Sequence, residues 1–218
     1  MTALFVKADD FLRGRAPFDP TTAGRTHDLF LLVVVFGPVY GAIMGSYAVD
    51  SADRLLQVVF AASKVPLLLF TTSVICLPGF FVLNTVLGLR DDFSTTIRAI
   101  VAGQAALSIV LASLAPFTRF FYYSSNSYQN AILFNAFMFA IATAAGHMVM
   151  LRYYRILIRR NTKHRIGLYL WLGLYAFVGM QMGWTLRPFI GSPGSPIRFF
   201  RDEPFTNAYV VIFRLFAG

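Results

Sequence analysis

Residues 29–48 read LFLLVVVFGPVYGAIMGSYA, twenty consecutive positions without a charged side chain. An α-helix rises about 1.5 Å per residue, so a run of ~20 matches the ~30 Å hydrocarbon core of a bilayer. Four further uncharged stretches occur at 65–87, 99–116, 131–151 and 166–186. Lipid offers backbone N–H and C=O groups no water, and helices satisfy them internally. The chain is therefore predicted to be all-α: a polytopic integral membrane protein with five transmembrane helices and short amphipathic interfacial helices.

Composition agrees. The chain is 57% hydrophobic and 13% charged, with 23 Phe among 218 residues, too little polar surface to cover a soluble domain of this length. The net charge of +9 lies between the apolar runs rather than on one face. A place at the membrane edge explains it, and nucleic-acid binding is not expected.

Counting Lys and Arg between the spans orients them. Lys7, Arg13, Arg15, Arg25, Arg90, Arg98, Arg152, Arg155, Arg159, Arg160, Lys163 and Arg165 fall on one side, twelve of the nineteen. Arg54, Lys64, Arg119, Arg187, Arg198, Arg201 and Arg214 fall on the other. Cytoplasmic segments carry the basic excess, which predicts a cytoplasmic N-terminus and an outer C-terminus. A cleaved signal peptide is the rival reading of 29–48. That run and its polar leader are both long for such a peptide, and the span is read as retained.

Three regions follow. Residues 1–28 form a cytoplasmic or interfacial segment in which Ala3, Leu4, Phe5, Phe11 and Leu12 share a helical face. A proline-containing break follows at 16–21. Residues 29–186 are the membrane domain. Within it, 49–64 reads as a separate short helix, capped by Asp50 or Ser51 and ending with Lys64 at headgroup level. Pro66 and Pro78 remove backbone donors from the second span, which favours packing it inside the bundle. Residues 118–130 read as a loop whose Phe120, Phe121, Tyr122 and Tyr123 make an interfacial aromatic belt. Residues 187–218 are an outer segment, proline-rich at first, with a short amphipathic helix at about 207–216 lying on the surface.

Small side chains that admit close backbones are a main source of helix association in lipid. Gly37, Gly41 and Gly45, then Ala136, Ala140 and Ala144, then Gly179 and Gly183 form three such stripes. They are expected to tile one bundle, with a second subunit as the alternative for one of them. Asn84, Gln104, Asn135, His147 and Gln181 are the polar side chains that stand out within the spans. None carries a fixed charge, so transport by a carboxylate relay has no candidate. Structural hydrogen bonds across helices are their expected use.

Chemistry is sparse. His27, His147 and His164 share no metal-ligand spacing. No phosphate loop, nucleophile elbow or zinc-protease helix occurs. The one cysteine, Cys76, lies in a span, where burial favours the inert thiol. Asp91 and Asp92 beside Arg90 read as a solvated turn with its own ion pair. No catalytic residue, metal site or cofactor is predicted, and the chain is not expected to be an enzyme. The most distinctive string runs from Gly179 to Pro193. Trp184 suits the interface, Arg187 can cap the last helical carbonyls, and Pro188 ends the helix. On a sharper reading Gln181, Trp184 and Arg187 line an outward pocket. With Asn84 and Gln104 they are the candidate polar contacts to lipid or partner.

Several strings resemble bacterial members of the Yip1-type family of multispanning membrane proteins. They are Lys64-Val-Pro66-Leu67, Ile75-Cys-Leu77-Pro78 with Asn84 and Gly88, Leu111-Ala-Ser113-Leu-Ala115-Pro116, the 181–193 region, and Phe199-Phe200-Arg201 with Asn207. The resemblance covers about residues 50–210 and implies five crossings, a bacterial inner membrane and a membrane-organising or adaptor role. Eukaryotic relatives act in vesicle traffic and engage small GTPases through a longer cytosolic N-terminal region. Only about 28 residues precede the first span here, so that role does not carry over. The expected function is a non-enzymatic scaffold or accessory subunit that packs with lipids, other membrane subunits or itself. A small oligomeric channel or transporter is the alternative.

Overall fold

The computed structural model describes residues 2–14, 24–47, 49, 54–125, 127–192, 194–200 and 208–210. Six α-helices are named in chain order: α1 (Thr2–Arg13), α2 (Gly24–Gly45), α3 (Leu55–Val86), α4 (Phe93–Ser124), α5 (Tyr128–Arg160) and α6 (His164–Thr185). A single 3₁₀ turn, Arg90–Asp92, precedes α4. Five of these helices, α2 to α6, are long and apolar enough to cross a bilayer. At 32 or 33 residues each, α3, α4 and α5 are about 48 Å long. That exceeds the ~30 Å core, so their ends project beyond it.

This length corrects three boundaries. The separate helix expected at 49–64 does not exist: α3 is continuous from Leu55 through Pro66 and Pro78. Lys64 sits inside it, fully buried, rather than closing a helix. The loop expected at 118–130 shrinks to the residues between Ser124 and Tyr128, because α4 continues past Pro116. The belt splits accordingly: Phe120 and Tyr123 are exposed, and Tyr122 is buried. On the other side, Arg152, Arg155, Arg159 and Arg160 extend α5 rather than forming a loop. The proposed caps Asp50 and Ser51, the break at 16–21, and 211–216 of the C-terminal piece lie outside the described residues.

Helix ends have identifiable causes. Gly88, at φ +74°, follows α3. The Gly88 N–H donates to the Thr85 carbonyl and the Leu89 N–H to the Asn84 carbonyl, the pair of bonds that closes a helix on a left-handed glycine. Ser127 caps α5 by accepting from the Asn130 N–H at 3.3 Å. At the end of α5, Asn161 turns extended (φ −148°, ψ 119°).

Packing is centred on α4, which lies between α2 and α5. α2 packs in turn on α3, α3 on α6, and a lighter contact joins α5 to α6. Glycine sets the closest approaches. A Cβ on Gly41 would overlap the Ala61 carbonyl, and one on Gly45 would lie 2.6 Å from the Ala61 Cβ. Between α4 and α5, a Cβ on Gly146 would lie 2.7 Å from the Gly103 carbonyl oxygen. α1 lies across the ends of α2 and α5. It buries Ala8, sets the Phe5 ring edge-on to Phe36, and is tied down by Lys7 to Asp28 and Arg152 to the Leu12 carbonyl. Within α1, Asp9 accepts from Arg13 Nε at 2.7 Å. That hydrogen bond, more than the charge alone, raises the guanidinium pKa.

Candidate functional site

Pro188 cannot continue α6, because it lacks an N–H. The backbone at 188–192 therefore leaves its carbonyls without helical partners. An irregular segment near membrane depth is tolerated only where protein satisfies those groups, and α3 with its preceding residue Arg54 supplies most of the donors. Lys64 Nζ donates to the Pro188 carbonyl at 2.6 Å, Gln57 Nε2 to Phe189 at 3.2 Å, and Arg54 Nη1 to Ser192 at 3.3 Å. From α5, the Tyr128 hydroxyl donates to Ile190 at 3.3 Å. Gly191 admits the Gln57 side chain: a Cβ there would lie 3.0 Å from Gln57 Cγ. Together these groups make a clasp.

The Lys64 ammonium is also the most unusual charge in the molecule. It lies 4.8 Å from the Phe199 ring centroid and 6.0 Å from that of Phe189. An aromatic face attracts a cation, more strongly where water is excluded. Among the described residues its one hydrogen bond is to Pro188, and no carboxylate pairs with it.

A second polar cluster joins α2, α4 and α5 at the same end. Tyr40 donates to Asn135 Oδ1 at 2.9 Å, Thr118 donates to the Tyr40 hydroxyl at 3.3 Å, and Asn135 Nδ2 donates to the Tyr122 hydroxyl at 2.7 Å. Tyr122 donates in turn to the Met44 carbonyl at 3.3 Å. Beside it, Arg119 reaches across to the Ser46 hydroxyl at 3.0 Å and carbonyl at 3.3 Å, and to the Tyr123 hydroxyl at 2.9 Å. At the opposite end Asp92 meets His164 at 3.0 Å and Arg160 at 3.7 Å. Asp92, expected to pair within the 90–92 turn, thus meets the Arg160 guanidinium of α5 and the His164 ring of α6 instead.

The residues singled out from the sequence fall as follows. Gly37 faces Pro66, with a Cβ position 3.4 Å from its ring, and Gly41 and Gly45 face Ala61. Ala136, Ala140 and Ala144 are exposed; α5 turns Ala131, Asn135, Met138, Ala142 and Gly146 inward instead. Gly179 meets Thr72, and nothing lies near Gly183. Asn84 is buried and donates to the Phe80 carbonyl at 2.8 Å. Gln104 lies beside Tyr175. Gln181, Trp184 and Arg187 are all half-buried. Gln181 Oε1 accepts from the Ala208 N–H at 2.9 Å, and Tyr209 stacks on Phe177 and donates to its carbonyl. Residues 208–210 therefore pack against the side of α6 rather than beyond its end. Arg187 stacks over Trp184, 3.0 Å from its ring centroid, and donates to its carbonyl at 3.1 Å.

Sequence reasoning missed the clasp. Its one signal was the spacing of Gln57 and Lys64: seven residues, two helical turns, put both on one face. No family model, no curated protein and no solved structure matches this chain.

Proposed function

We propose that this chain is a non-catalytic integral membrane scaffold or accessory subunit, packing against partner membrane proteins or lipids in a larger assembly. The unequal burial of its helices carries this reading. α4 buries 56% of its most apolar window, but α5 buries 28% and α6 only 17%. Phe137 and Ile141 on α5, and Tyr169, Phe177 and Met180 on α6, point outward. The outward Ala136, Ala140 and Ala144 offer a surface that another helix can approach closely. The resemblance to Yip1-type proteins supports the same reading. The basic excess supports placing the α1 end in the cytoplasm and the clasp end outside.

Cysteine cross-linking in native membranes tests it. With Cys76→Ala as background, Ala140→Cys and Phe177→Cys are expected to give one dominant adduct heavier than the chain. Ala102→Cys, inside the core, should give none. Only monomer at both outward positions would defeat the proposal. The alternative, a small oligomeric channel or transporter for an ion or small solute, draws on Thr72 Oγ1, Gln104 Oε1 and Ser108 Oγ. These are buried and without hydrogen-bond partners among the described residues. Solute or ion flux in reconstituted vesicles, lost on Gln104→Leu, would favour it over the scaffold.

A further inference from the structure

α1 does not seal against the bundle. Between it, the first turns of α2 and the last turns of α5 lies a cavity of about 420 Å³, within the range of sites that hold small ligands. Its wall is apolar at Leu31 and Ile156, both exposed on the surface of the bundle. Its rim carries Lys7, Asp28, Asp10 and Arg152. Lys7 and Asp28 answer each other at 3.3 Å, which leaves one cation and one anion to face the cavity. Arg152 spends Nη1 on the Leu12 carbonyl at 2.9 Å. Its other guanidinium nitrogens, and the Asp10 carboxylate, have no hydrogen bond or ion pair among the described residues. The two groups flank Gly14. A Cβ on Gly14 would lie 3.6 Å from Arg152 Nη1, and Asp10 precedes Gly14 by about one helical turn, ~5–6 Å.

We propose that this groove binds the headgroup of an ethanolamine phospholipid. The phosphate pairs with the Arg152 guanidinium, whose planar donors match phosphate oxygens. The primary ammonium, two carbons away, donates to Asp10. The acyl chains run over Leu31 and along α2 into the bilayer, away from the basic end of α5. The carboxylate makes the site selective. It opposes a purely anionic headgroup, and a choline headgroup carries no N–H to donate. The groove involves α1, not the outward faces of α5 and α6, so it stands or falls separately from the packing proposal.

Native mass spectrometry of the full chain, released from micelles holding equal amounts of phosphatidylethanolamine, phosphatidylcholine and phosphatidylglycerol, reads this out. Phosphatidylethanolamine should be retained at least about tenfold over either competitor, the lower end of what one hydrogen bond to a charged group is worth. Asp10→Asn should bring phosphatidylethanolamine down to the level of phosphatidylcholine. Arg152→Ala should lower retention of all three. Among the described residues Asp10 makes no hydrogen bond or ion pair and acts on Arg13 only through its charge, so Asp10→Asn is expected to keep the parent's unfolding midpoint, and that match keeps the test decisive. Equal retention of the three lipids, a preference for phosphatidylglycerol, or an ethanolamine preference that survives Asp10→Asn would overturn the proposal.

Discussion

Lys64 shows how much one side chain can organise. An ammonium buried in an apolar helix costs several kcal/mol unless its donors are met. Here a carbonyl and two phenyl faces meet it. Replacing such a buried charge by an apolar residue of similar volume is often neutral for global stability. Lys64→Met should therefore leave the unfolding midpoint nearly unchanged while freeing residues 188–192. Limited trypsin digestion after Arg198 should then run several-fold faster than in the parent chain, and an unchanged rate would deny Lys64 its fastening role. Gly41 gives the opposite case. Its missing side chain would overlap the backbone of α3, which cannot swing aside. Gly41→Val should cost about 1–3 kcal/mol or more, seen as a lower midpoint in detergent. Gly183→Ala, with open space around it, should cost almost nothing.

At the scale of elements, hydrogen bonds across helices hold α2, α4 and α5 in register. Polar pairs between membrane helices couple by about 0.6 kcal/mol on average and up to ~1.7. A double-mutant cycle of Tyr40→Phe with Asn135→Leu should fall in that range, measured by denaturant unfolding in mixed micelles. Strict additivity would place the two side chains in separate environments. The same scale shows why helix existence was legible from hydropathy and helix length was not. Arg152, Arg155 and Arg159 end an apolar run, but arginine is a good helix former, so α5 continues until Asn161 turns extended. Hydropathy alone ends a short helix at Lys64, just before Pro66, and the third span at Pro116. Within a membrane helix the carbonyls these prolines free can be satisfied locally, and α3 and α4 run through both. Helix facing was legible only in part. Gly41 and Gly45 turn inward because a close crossing requires them. The alanines at 136, 140 and 144 are as compatible with lipid as with protein, so spacing could not assign their side. The clasp was hidden because its acceptors are backbone carbonyls, which carry no residue-type signal.

For the whole molecule, the two ends differ in charge and in construction. One gathers α1, the Asp92–His164 contact and most of the described basic residues. The other holds the clasp and the Tyr40–Asn135–Tyr122 cluster. In a background lacking Cys76, Ser125→Cys should react with a membrane-impermeant maleimide in intact cells, and Thr162→Cys only after permeabilisation. The reverse pattern would invert the orientation proposed from charge. Chain order adds a consequence of the lysine in α3. Lys64 precedes the carbonyl that accepts from it by 124 residues, so a ribosome delivers the donor to the membrane long before its acceptor. During synthesis that amine waits for its acceptor, and packing, as distinct from insertion, finishes only when the stretch after α6 emerges. Stop codons just downstream of Thr185 should therefore yield five inserted helices that membrane quality-control proteases still recognise as immature.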